Sequence, residues 1–243
     1  MKTTILFDLG QTLVQYYSRS DIPQVLKKSV SSVYAFLRSK GRAAISDNDL
    51  WQRVGRENGE AVDYLVRPLE DRLARIFELA GKPSSDELIQ KACRYFMKPI
   101  FACGQLYEDT LPTLSRLKKQ RYKTALVSNT PWGSPAHLWR EEIQRLGIAQ
   151  YLDVVVFCRD AGWRKPAPHI FTYALHKLQV PAEQCFFVGD NPVWDVQGPQ
   201  AVGIDAVLID RSRTTSDNTT INTLEQVISI LSDFSTHSRS REE

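Results

Sequence analysis

Short runs of apolar residues, many of them β-branched or aromatic, recur along the chain and predict five β-strands. The first covers residues 3–6, and four more lie in the second half of the chain, at 124–127, 153–157, 185–188 and 206–209. Segments with the 3.6-residue periodicity of a helix separate them, as at Leu111, Leu114 and Leu117. Buried strands that alternate with helices are typical of a parallel sheet with helices on both faces. The pattern therefore predicts an α/β fold.

The long stretch between the first two strands carries helical signals and no convincing strand. One apolar stripe is typical of a helix that ends at a glycine, Gly41, and comprises Ile22, Val25, Leu26, Val30, Val33 and Leu37. Capping sequences at 46–49 and 84–87 predict two more helix starts. Pro68 suits the first turn of another helix, which stops at Gly81. These signals indicate a helical bundle inserted after the first strand.

The order of the elements predicts a discontinuous architecture. Residues 1–15 and 107–232 are expected to form a Rossmann-like core with helices on both faces of a parallel sheet, and residues 16–106 the helical domain. From about Arg211 the chain becomes polar and is expected to be partly disordered, and residues 233–243 are assigned to a polar tail.

Composition and charge are those of an ordinary globular protein. The 243 residues are 42% hydrophobic, which is enough for a packed core. The net charge of +3 comes from 31 basic and 28 acidic residues scattered along the chain, which argues against a nucleic-acid partner. The N-terminus reaches a charged residue, Asp8, after a few apolar ones, and no run is long enough to span a membrane, so a cytoplasmic location is expected. The four cysteines lack CxxC spacing and are expected to be free thiols.

Polar residues follow three of the predicted strands at the point where each strand ends. Asp8 follows the first, Ser128 and Asn129 follow the second, and Gly189 and Asp190 follow the fourth. The carboxyl ends of parallel strands form the ligand crevice of an open α/β sheet, so we expect these side chains to converge. A lone aspartate would be interpreted as a loop residue, whereas this set indicates a site.

The residue types of the set suit phosphoryl transfer. Three carboxylates, Asp8, Asp190 and Asp195, offer the oxygen ligands that Mg²⁺ prefers. A carboxylate can also attack phosphorus and form an aspartyl phosphate, which divides a difficult displacement into two steps. Lys165 lies on a proline-stiffened loop before a helix, and together with the hydroxyl of Ser128 it can hold the equatorial phosphate oxygens.

Four motifs at these positions resemble those of the haloacid dehalogenase superfamily of hydrolases. The family's DxDxT after a strand is similar to residues 8–12, DLGQT, and its strand ending in Ser-Asn is similar to residues 125–129, ALVSN. Its lysine motif GxxKPxPxIF is matched at every fixed position by residues 162–171, and its GDxxxxD by residues 189–195. All four occur in the family's order, and the ordered set is far more specific than any single motif.

Carried over to this chain, the resemblance implies a Mg²⁺-dependent phosphohydrolase acting on a small phosphorylated metabolite. It implies Asp8 as nucleophile and metal ligand, Ser128 as phosphate ligand and Lys165 as stabiliser of negative charge. Asp190 would be a direct metal ligand, and Asp195 would bind the metal through water or pair with Lys165.

The resemblance also assigns the remaining parts of the site. Asn129 would belong to the substrate site, and the backbone carbonyl of Gly10 would be a metal ligand. Thr12 is also assigned to the substrate site on its position, because a hydroxyl four residues after Asp8 can hydrogen-bond the turn that aims it, although an ordinary turn or cap role is equally open. Residues 16–106 would be the helical cap that closes over the site and selects substrates. The sequence contains no indication of an oligomeric state.

The chain departs from the family pattern at Gly10. Phosphatases of the family usually carry a second aspartate there, which protonates the leaving group and then activates water. General acid–base catalysis is worth about 10²–10⁴ in rate, and its loss matters most for a leaving group of high pKa. The sequence therefore predicts either a substrate with an acidic leaving group or a replacement proton donor from the cap, from water or from Gln11.

Three alternatives remain open at the level of sequence. A phosphonate hydrolase of the same superfamily would need a Schiff-base lysine in the cap, for which Lys27, Lys28 and Lys40 are candidates. A 2-haloacid dehalogenase would need neither metal nor general acid, but it would leave two carboxylates, Asp190 and Asp195, without a role. A non-catalytic phosphate-binding or scaffold protein is favoured by the missing acid and opposed by the intact nucleophile.

Overall fold

The strands are defined by a computed structural model that describes residues 2–59, 62–79, 86–212 and 220–239. They are β1 (Thr4–Phe7), β2 (Val14–Gln15), β3 (Gln105–Leu106), β4 (Lys123–Ser128), β5 (Val154–Phe157), β6 (Cys185–Gly189), β7 (Asp205–Ile209) and β8 (Thr220–Ile221). Six of them form one sheet in the order β5-β4-β1-β6-β7-β8, in which all neighbouring pairs are parallel. The other two, β2 and β3, pair as a short antiparallel ribbon.

The first predicted strand lies at the centre of the sheet. In the ladder, Leu6 of β1 lies opposite Ala125 of β4 on one side and Phe187 of β6 on the other. Ile5, Leu6 and Phe7 are fully buried. Strands without a polar face require cover on both sides of the sheet, which the helices supply. The predicted α/β fold with a Rossmann-like parallel sheet is confirmed.

The α-helices fall into two groups, those between β2 and β3 in the chain and those that flank the sheet on both faces. They are α1 (Ile22–Ser39), α2 (Asp47–Glu57), α3 (Leu69–Ile76), α4 (Glu87–Phe101), α5 (Thr110–Lys119), α6 (Ala136–Arg145), α7 (Cys158–Ala161), α8 (Pro168–Leu178), α9 (Gly198–Gln200) and α10 (Glu225–Arg239). Buried residues of α5, α6 and α10 share a cluster with Phe7 on one face. Ile170 and Phe171 of α8 pack with Leu6 on the other face.

Helices α1 to α4 form the predicted helical segment, and their ends follow the expected local rules. The side chain of Ser46 caps α2 by accepting a hydrogen bond from the Asp49 backbone N–H at 3.2 Å. The helix α3 begins at Leu69, so Pro68 directly precedes the first turn in which it was predicted. Gly41 follows α1 with φ of +63°, a left-handed conformation that glycine adopts without steric cost. The helix α3 ends at Ile76, so the prediction that it continues to a stop at Gly81 is wrong, and Gly81 itself lies outside the described residues.

Several contacts fasten the helical segment to the core. The chain leaves the core for the helical segment through β2 and returns to the core through β3, and these two strands pair with each other. Arg94 of α4 forms an ion pair with Glu141 of α6 at 2.6 Å, and Glu70 of α3 pairs with Arg159 of α7 at 2.9 Å. The ribbon was not predicted, because each of its strands has only two residues and carries no periodic signal.

The prediction of partial disorder from about Arg211 is wrong for residues 220–232. Strand β8 adds a sixth strand to the sheet beside β7, and α10 covers the face that α5 also covers. Buried residues in this part of the chain are Ile221, Leu224, Val227, Ile228 and Leu231. Their helical spacing offsets the polar composition, because burial of this apolar stripe orders the segment. Residues 213–219 and 240–243 lie outside the described residues.

Two further expectations concern membranes and cysteines. Among the described helices, none combines the length and the apolar composition needed to cross a membrane. The cysteines are free thiols, as predicted; Cys93, Cys158 and Cys185 are buried, and Cys103 is exposed.

Candidate active site

The carboxyl ends of three adjacent strands bring distant residues together. Asp8 follows β1, and its backbone N–H donates to the Val188 carbonyl at 3.0 Å, which extends the ladder by one residue. Ser128 is the last residue of β4, and Asp190 follows β6 directly. Asp8, Ser128 and Asp190 all line one cavity. The structure therefore brings together the side chains that the strand order led us to expect.

Three carboxylates form a cluster at this edge of the sheet. Asp8, Asp190 and Asp195 each place one carboxylate oxygen within 4.8 Å of the others. Asp8 and Asp195 are buried, and Asp190 is partly exposed at the cavity. Negative charges this close repel one another unless cations lie among them. The arrangement is one that a hard divalent cation with oxygen ligands fits.

Lys165 supplies one positive charge to the cluster. Its Nζ lies 2.6 Å from Asp8 Oδ1 and 2.5 Å from Asp195 Oδ1, and its side chain is 1% exposed. Burial disfavours the ammonium form, but the charges of Asp195 and Asp8 outweigh burial and raise the pKa of Lys165, so that it stays protonated. Burial raises the pKa of Asp195 to about 6, although the Lys165 charge acts in the opposite direction. One ammonium among three carboxylates leaves negative charge that a metal ion can neutralise.

The loop that carries Lys165 is fixed to the end of β4 by an asparagine. Asn129 Oδ1 accepts from the backbone N–H of Lys165 at 2.8 Å, and Asn129 Nδ2 donates to the carbonyl of Lys165 at 3.2 Å. The guanidinium of Arg164 donates to the carbonyl of Thr130 at 3.1 Å. Asn129 thus orients the lysine loop, and its predicted contact with substrate stays a prediction.

A turn of π-helix over Pro192–Gln197 carries Asp195 back towards Lys165. Asp195 Oδ2 accepts from the backbone N–H of Asn191 at 3.0 Å, while its other oxygen contacts Lys165. Gly189 lies against this carboxylate, because a Cβ at position 189 would stand 2.4 Å from Asp195 Cβ and Cγ. Of the two roles considered for Asp195, the occupied oxygens favour that of partner for Lys165.

The cavity beside the carboxylates has a volume of about 480 Å³. Its lining includes the polar side chains of Asp8, Ser128 and Asp190, and it is formed by residues of both the core and the helical segment. Trp194 lies in the wall, 40% exposed. The other tryptophan near the motifs, Trp163, stacks instead on His169 with ring centroids 4.0 Å apart. The cavity is therefore the place where a ligand would meet Asp8.

Two residues of the first motif differ in how they relate to the cavity. Gly10 lines it, and a Cβ there would make only an ordinary contact, 3.9 Å from Tyr16 Cδ2. The glycine is therefore not required sterically. Thr12 is fully buried, and its hydroxyl has no hydrogen-bond partner within the described part of the chain. Its expected hydrogen bond to the turn is not formed, and it is not one of the residues that line the cavity.

Sequence reasoning missed the set of contacts that holds the turn after β1. Gln11, in a left-handed conformation with φ of +57°, donates from Nε2 to the Tyr17 carbonyl at 2.5 Å and accepts from the Tyr107 hydroxyl at 3.0 Å. Arg211 lies 4.1 Å over the Tyr107 ring and donates to the Thr12 carbonyl at 2.6 Å. Both chain segments that lead to the helical bundle are thereby tied to the turn. Gln11 is committed to these contacts, and an amide is not an acid, so it does not serve as the replacement proton donor.

The lysines considered for Schiff-base chemistry lie away from the cavity. Lys27 and Lys28 are on α1, and Lys40 is exposed just after it. None of the three belongs to the described lining of the cavity. Their position offers no support for phosphonate cleavage.

Comparison with known proteins agrees with the motifs and the geometry. The family model of the haloacid dehalogenase-like hydrolases matches residues 2–203. A glyceraldehyde 3-phosphate phosphatase of Methanopyrus kandleri is 27% identical over 213 residues, which cover 88% of this chain and 86% of that protein. A ribulose-1,5-bisphosphate 5-phosphatase of Halopiger xanaduensis is 33% identical over 219 residues, which cover 87% of this chain and 86% of that protein. Among solved structures, a HAD phosphatase from Thermococcus onnurineus is similar with a TM-score of 0.62 at 27% identity, covering 95% of this chain and 98% of that one.

Proposed function

The chain belongs to the haloacid dehalogenase-like hydrolases, and on that premise we propose that it is a Mg²⁺-dependent phosphohydrolase that acts on a small phosphorylated metabolite. The observation that carries the proposal is the contact of Lys165 with both Asp8 and Asp195, beside Asp190 and Ser128 at one edge of the sheet. The names of the similar phosphatases support the same reaction class.

Asp8 is the proposed nucleophile. It follows the central strand, is held by the hydrogen bond to Val188 and lines the cavity, so its carboxylate is in place before substrate binds. An oxygen of Asp8 forms a bond to phosphorus as the bond from phosphorus to the leaving oxygen breaks. Water then attacks phosphorus, which releases inorganic phosphate and restores the carboxylate.

Lys165 and Ser128 are proposed to stabilise the negative charge on the transferred group. The ammonium of Lys165 is buried, so its charge acts on the phosphoryl oxygens in a medium of low polarity. Asp195 fixes the position of that ammonium from the other side, and Asn129 fixes the backbone that carries it. Ser128 lies at the end of β4 and offers a hydroxyl to the same oxygens.

Mg²⁺ is the proposed cofactor. Asp8, Asp190 and the backbone carbonyl of Gly10 are its proposed direct ligands, and Asp195 is the proposed partner of Lys165 beside them. The grouping of three carboxylate oxygens within 4.8 Å and the charge that Lys165 leaves unneutralised support this assignment. When bound, the ion offsets charge on the phosphate oxygens.

Residues 16–106 are proposed to be the cap over this site, with residues 1–15 and 107–232 as the core. Tyr16, Tyr17 and Ile22, near the start of this stretch, line the cavity together with core residues. This shared wall supports a role of the helical segment in substrate selection.

The overall proposal is tested by phosphate release from a broad panel of phosphorylated metabolites, nucleotides, acyl phosphates and aryl phosphates. We expect release that depends on Mg²⁺ and stops when a chelator is added. Absence of release from every compound of the panel would reject the proposal.

Metal binding is expected to be visible without turnover. Mg²⁺ should raise the Tm of the chain, since a ligand at 100 times its Kd stabilises the folded state by about 2.7 kcal/mol. Asp190→Asn should lose both this shift and the Mg²⁺-dependent activity. Glu108→Gln, which changes an exposed acid on a loop outside the cluster, should keep both. An undiminished Mg²⁺ shift in Asp190→Asn would show that the ion binds elsewhere.

The position of Asp195 is expected to depend on the absence of a side chain at Gly189. Gly189→Ala should lower kcat by about 10²-fold, because the added methyl group displaces the carboxylate that holds Lys165, and a misplacement of about 1 Å has that effect. Gly55→Ala is the matched control, since Gly55 lies in α2 and the added methyl group would have no neighbour within 4 Å among the described residues. It should keep the wild-type kcat and stabilise the helix by about 1 kcal/mol. Equal kcat values for the two variants would contradict the role given to Asp195.

A further inference from the structure

The walls of the cavity are largely apolar and aromatic. Six of the side chains that form them are Tyr16, Tyr17, Ile22, Ile100, Trp139 and Trp194. Ile22 and Trp194 are 49% and 40% exposed, so apolar surface faces solvent at this position. Small-molecule sites are concave and mostly apolar, and aromatic walls accept a planar ring by offset stacking or by edge-to-face contact. The organic part of a ligand held over Asp8 would lie against these walls.

The described lining of the cavity contains no lysine, arginine or histidine. The cation of the site, Lys165, is 1% exposed and is held by Asp8 and Asp195. A second phosphate or a carboxylate on the organic part of a substrate would therefore enter an apolar site without a partner. An unpaired charge in such surroundings is strongly unfavourable. The lining thus fits a substrate whose organic part is uncharged.

The amide side chains of the lining are already used by the protein. Asn129 bonds both backbone groups of Lys165, and Asn191 Oδ1 accepts from the backbone N–H groups of Val193 and Trp194, each at 3.0 Å. Gln11 bridges Tyr17 and Tyr107. Recognition of several hydroxyl groups needs donors and acceptors directed at the ligand. A polyol is therefore a poorer fit than an apolar group.

The lining also offers no ready proton donor for the leaving oxygen among the described residues. Its titratable side chains are those of Asp8, Asp190, Tyr16 and Tyr17. The two carboxylates have the proposed roles of nucleophile and metal ligand. Burial raises the pKa of Tyr16 and of Tyr17, which makes both phenols weaker acids, and the Tyr16 hydroxyl is buried away from solvent. A leaving group that departs as a stable anion is consistent with this lining.

We propose that the substrate is an aryl phosphate, the phosphate ester of a phenolic hydroxyl on an otherwise uncharged aromatic group. This inference rests on the proposed phosphohydrolase activity and specifies its substrate class. Asp8 attacks phosphorus, the bond from phosphorus to the aryl oxygen breaks, and the electron pair leaves with the phenolate. A phenol has a pKa of about 10, so its anion departs without a general acid and takes a proton from solvent afterwards.

Three phosphate esters separate the two parts of the inference. Phenyl phosphate and 4-carboxyphenyl phosphate both release a phenolate but differ in charge. Phenyl phosphate and benzyl phosphate are both apolar but differ in the basicity of the leaving oxygen. In the full chain with Mg²⁺, kcat/KM for phenyl phosphate should exceed that for 4-carboxyphenyl phosphate by about tenfold or more. It should exceed that for benzyl phosphate by about 10²-fold or more.

A positive charge placed at the rim of the cavity should change the preference between the charged and the uncharged aryl phosphate. Ile22→Arg introduces a cation at an exposed lining position and should raise the ratio of kcat/KM for 4-carboxyphenyl over phenyl phosphate by about two- to fivefold. Ser31→Arg adds the same charge to an exposed position of α1 outside the cavity lining, and this control should leave the ratio unchanged.

The outcomes separate this inference from the proposed function. Equal or greater kcat/KM for the carboxylate ester or for benzyl phosphate would overturn the inference, and so would phosphate release from other esters but not from these three. Release from no phosphate ester at all would overturn the proposed function and this inference with it. An equal change of ratio in Ile22→Arg and Ser31→Arg would show that the cavity wall does not contact the organic group.

Discussion

Asp8→Asn is expected to abolish phosphate release, with kcat reduced by a factor on the order of 10⁴ or more. The amide has nearly the size and shape of the carboxylate, so the hydrogen bond from the backbone of residue 8 to Val188 is preserved. An amide is not a competent nucleophile towards phosphorus, and no aspartyl phosphate can form. The loss should appear in kcat rather than in KM, since the cavity walls that are proposed to hold the organic group are unchanged.

The control for this substitution is an aspartate at the opposite edge of the sheet. Asp205 begins β7, is exposed and pairs with Lys2 at 2.5 Å. Asp205→Asn should keep the wild-type kcat. Turnover by Asp8→Asn within about tenfold of wild type would mean that another group attacks phosphorus, because a tenfold change corresponds to only about 1.4 kcal/mol of the barrier.

Lys165→Met is expected to affect both activity and stability. The substitution removes the cation that is proposed to stabilise the transferred phosphoryl group, and loss of one such interaction reduces kcat by about 10²–10³-fold. It also leaves two buried carboxylates, Asp8 and Asp195, facing each other without the ammonium that bridges them. Breaking a buried ion pair from one side destabilises a protein by about 3–5 kcal/mol. Denaturant unfolding and steady-state kinetics on the same preparation measure the two effects.

Lys118→Met separates these effects from the simple loss of a lysine. Lys118 pairs with Asp153 at 2.6 Å, but both side chains are more than one third exposed. An exposed pair contributes about 0–1 kcal/mol, so this variant should be near wild type in stability and in kcat. A Lys165→Met protein as stable and as active as Lys118→Met would disprove the electrostatic role of Lys165.

The parallel sheet could be predicted from the sequence because its strands are buried on both faces. Two examples of consecutive apolar positions are the run around Ile5 and Leu6 and the run from Phe186 to Val188. Such a run can be recognised without knowing which helices pack against the strand. The convergence of Asp8 with Asp190 followed from the same reasoning, since parallel strands share a carboxyl edge.

The side-chain contacts that complete the site could not be predicted from the sequence. The hydrogen bonds between Asn129 and the backbone of Lys165 join two loops that are distant in sequence. The hydrogen bond from Arg211 to the Thr12 carbonyl spans 199 residues. Such contacts depend on how the loops fold over the sheet, and no local pattern encodes them. The π-helical turn that carries Asp195 is of the same kind, because nothing in residues 192–197 distinguishes it from an ordinary helix start.

In the C-terminal segment, amino-acid composition alone gives the wrong prediction of disorder. Its content of serine and threonine favours an unstructured chain, yet Leu224, Val227 and Leu231 are buried against the core. A few apolar residues at helical spacing are enough when a sheet face is available to receive them. Ion pairs between the helical segment and the rest of the chain, such as that of Arg94 with Glu141, were missed for a related reason, since exposed charges carry no signal of their partner.

Trapping of the covalent intermediate tests whether Asp8 carries the phosphoryl group. The full chain with Mg²⁺ is mixed with excess phenyl phosphate, quenched with acid during the first turnovers, digested and mapped by mass spectrometry. We expect the mass of one phosphoryl group on the peptide that contains Asp8, and none in Asp8→Asn. A phosphoryl group on a different peptide, or unmodified protein at every quench time while phosphate is being released, would argue against Asp8 as the nucleophile.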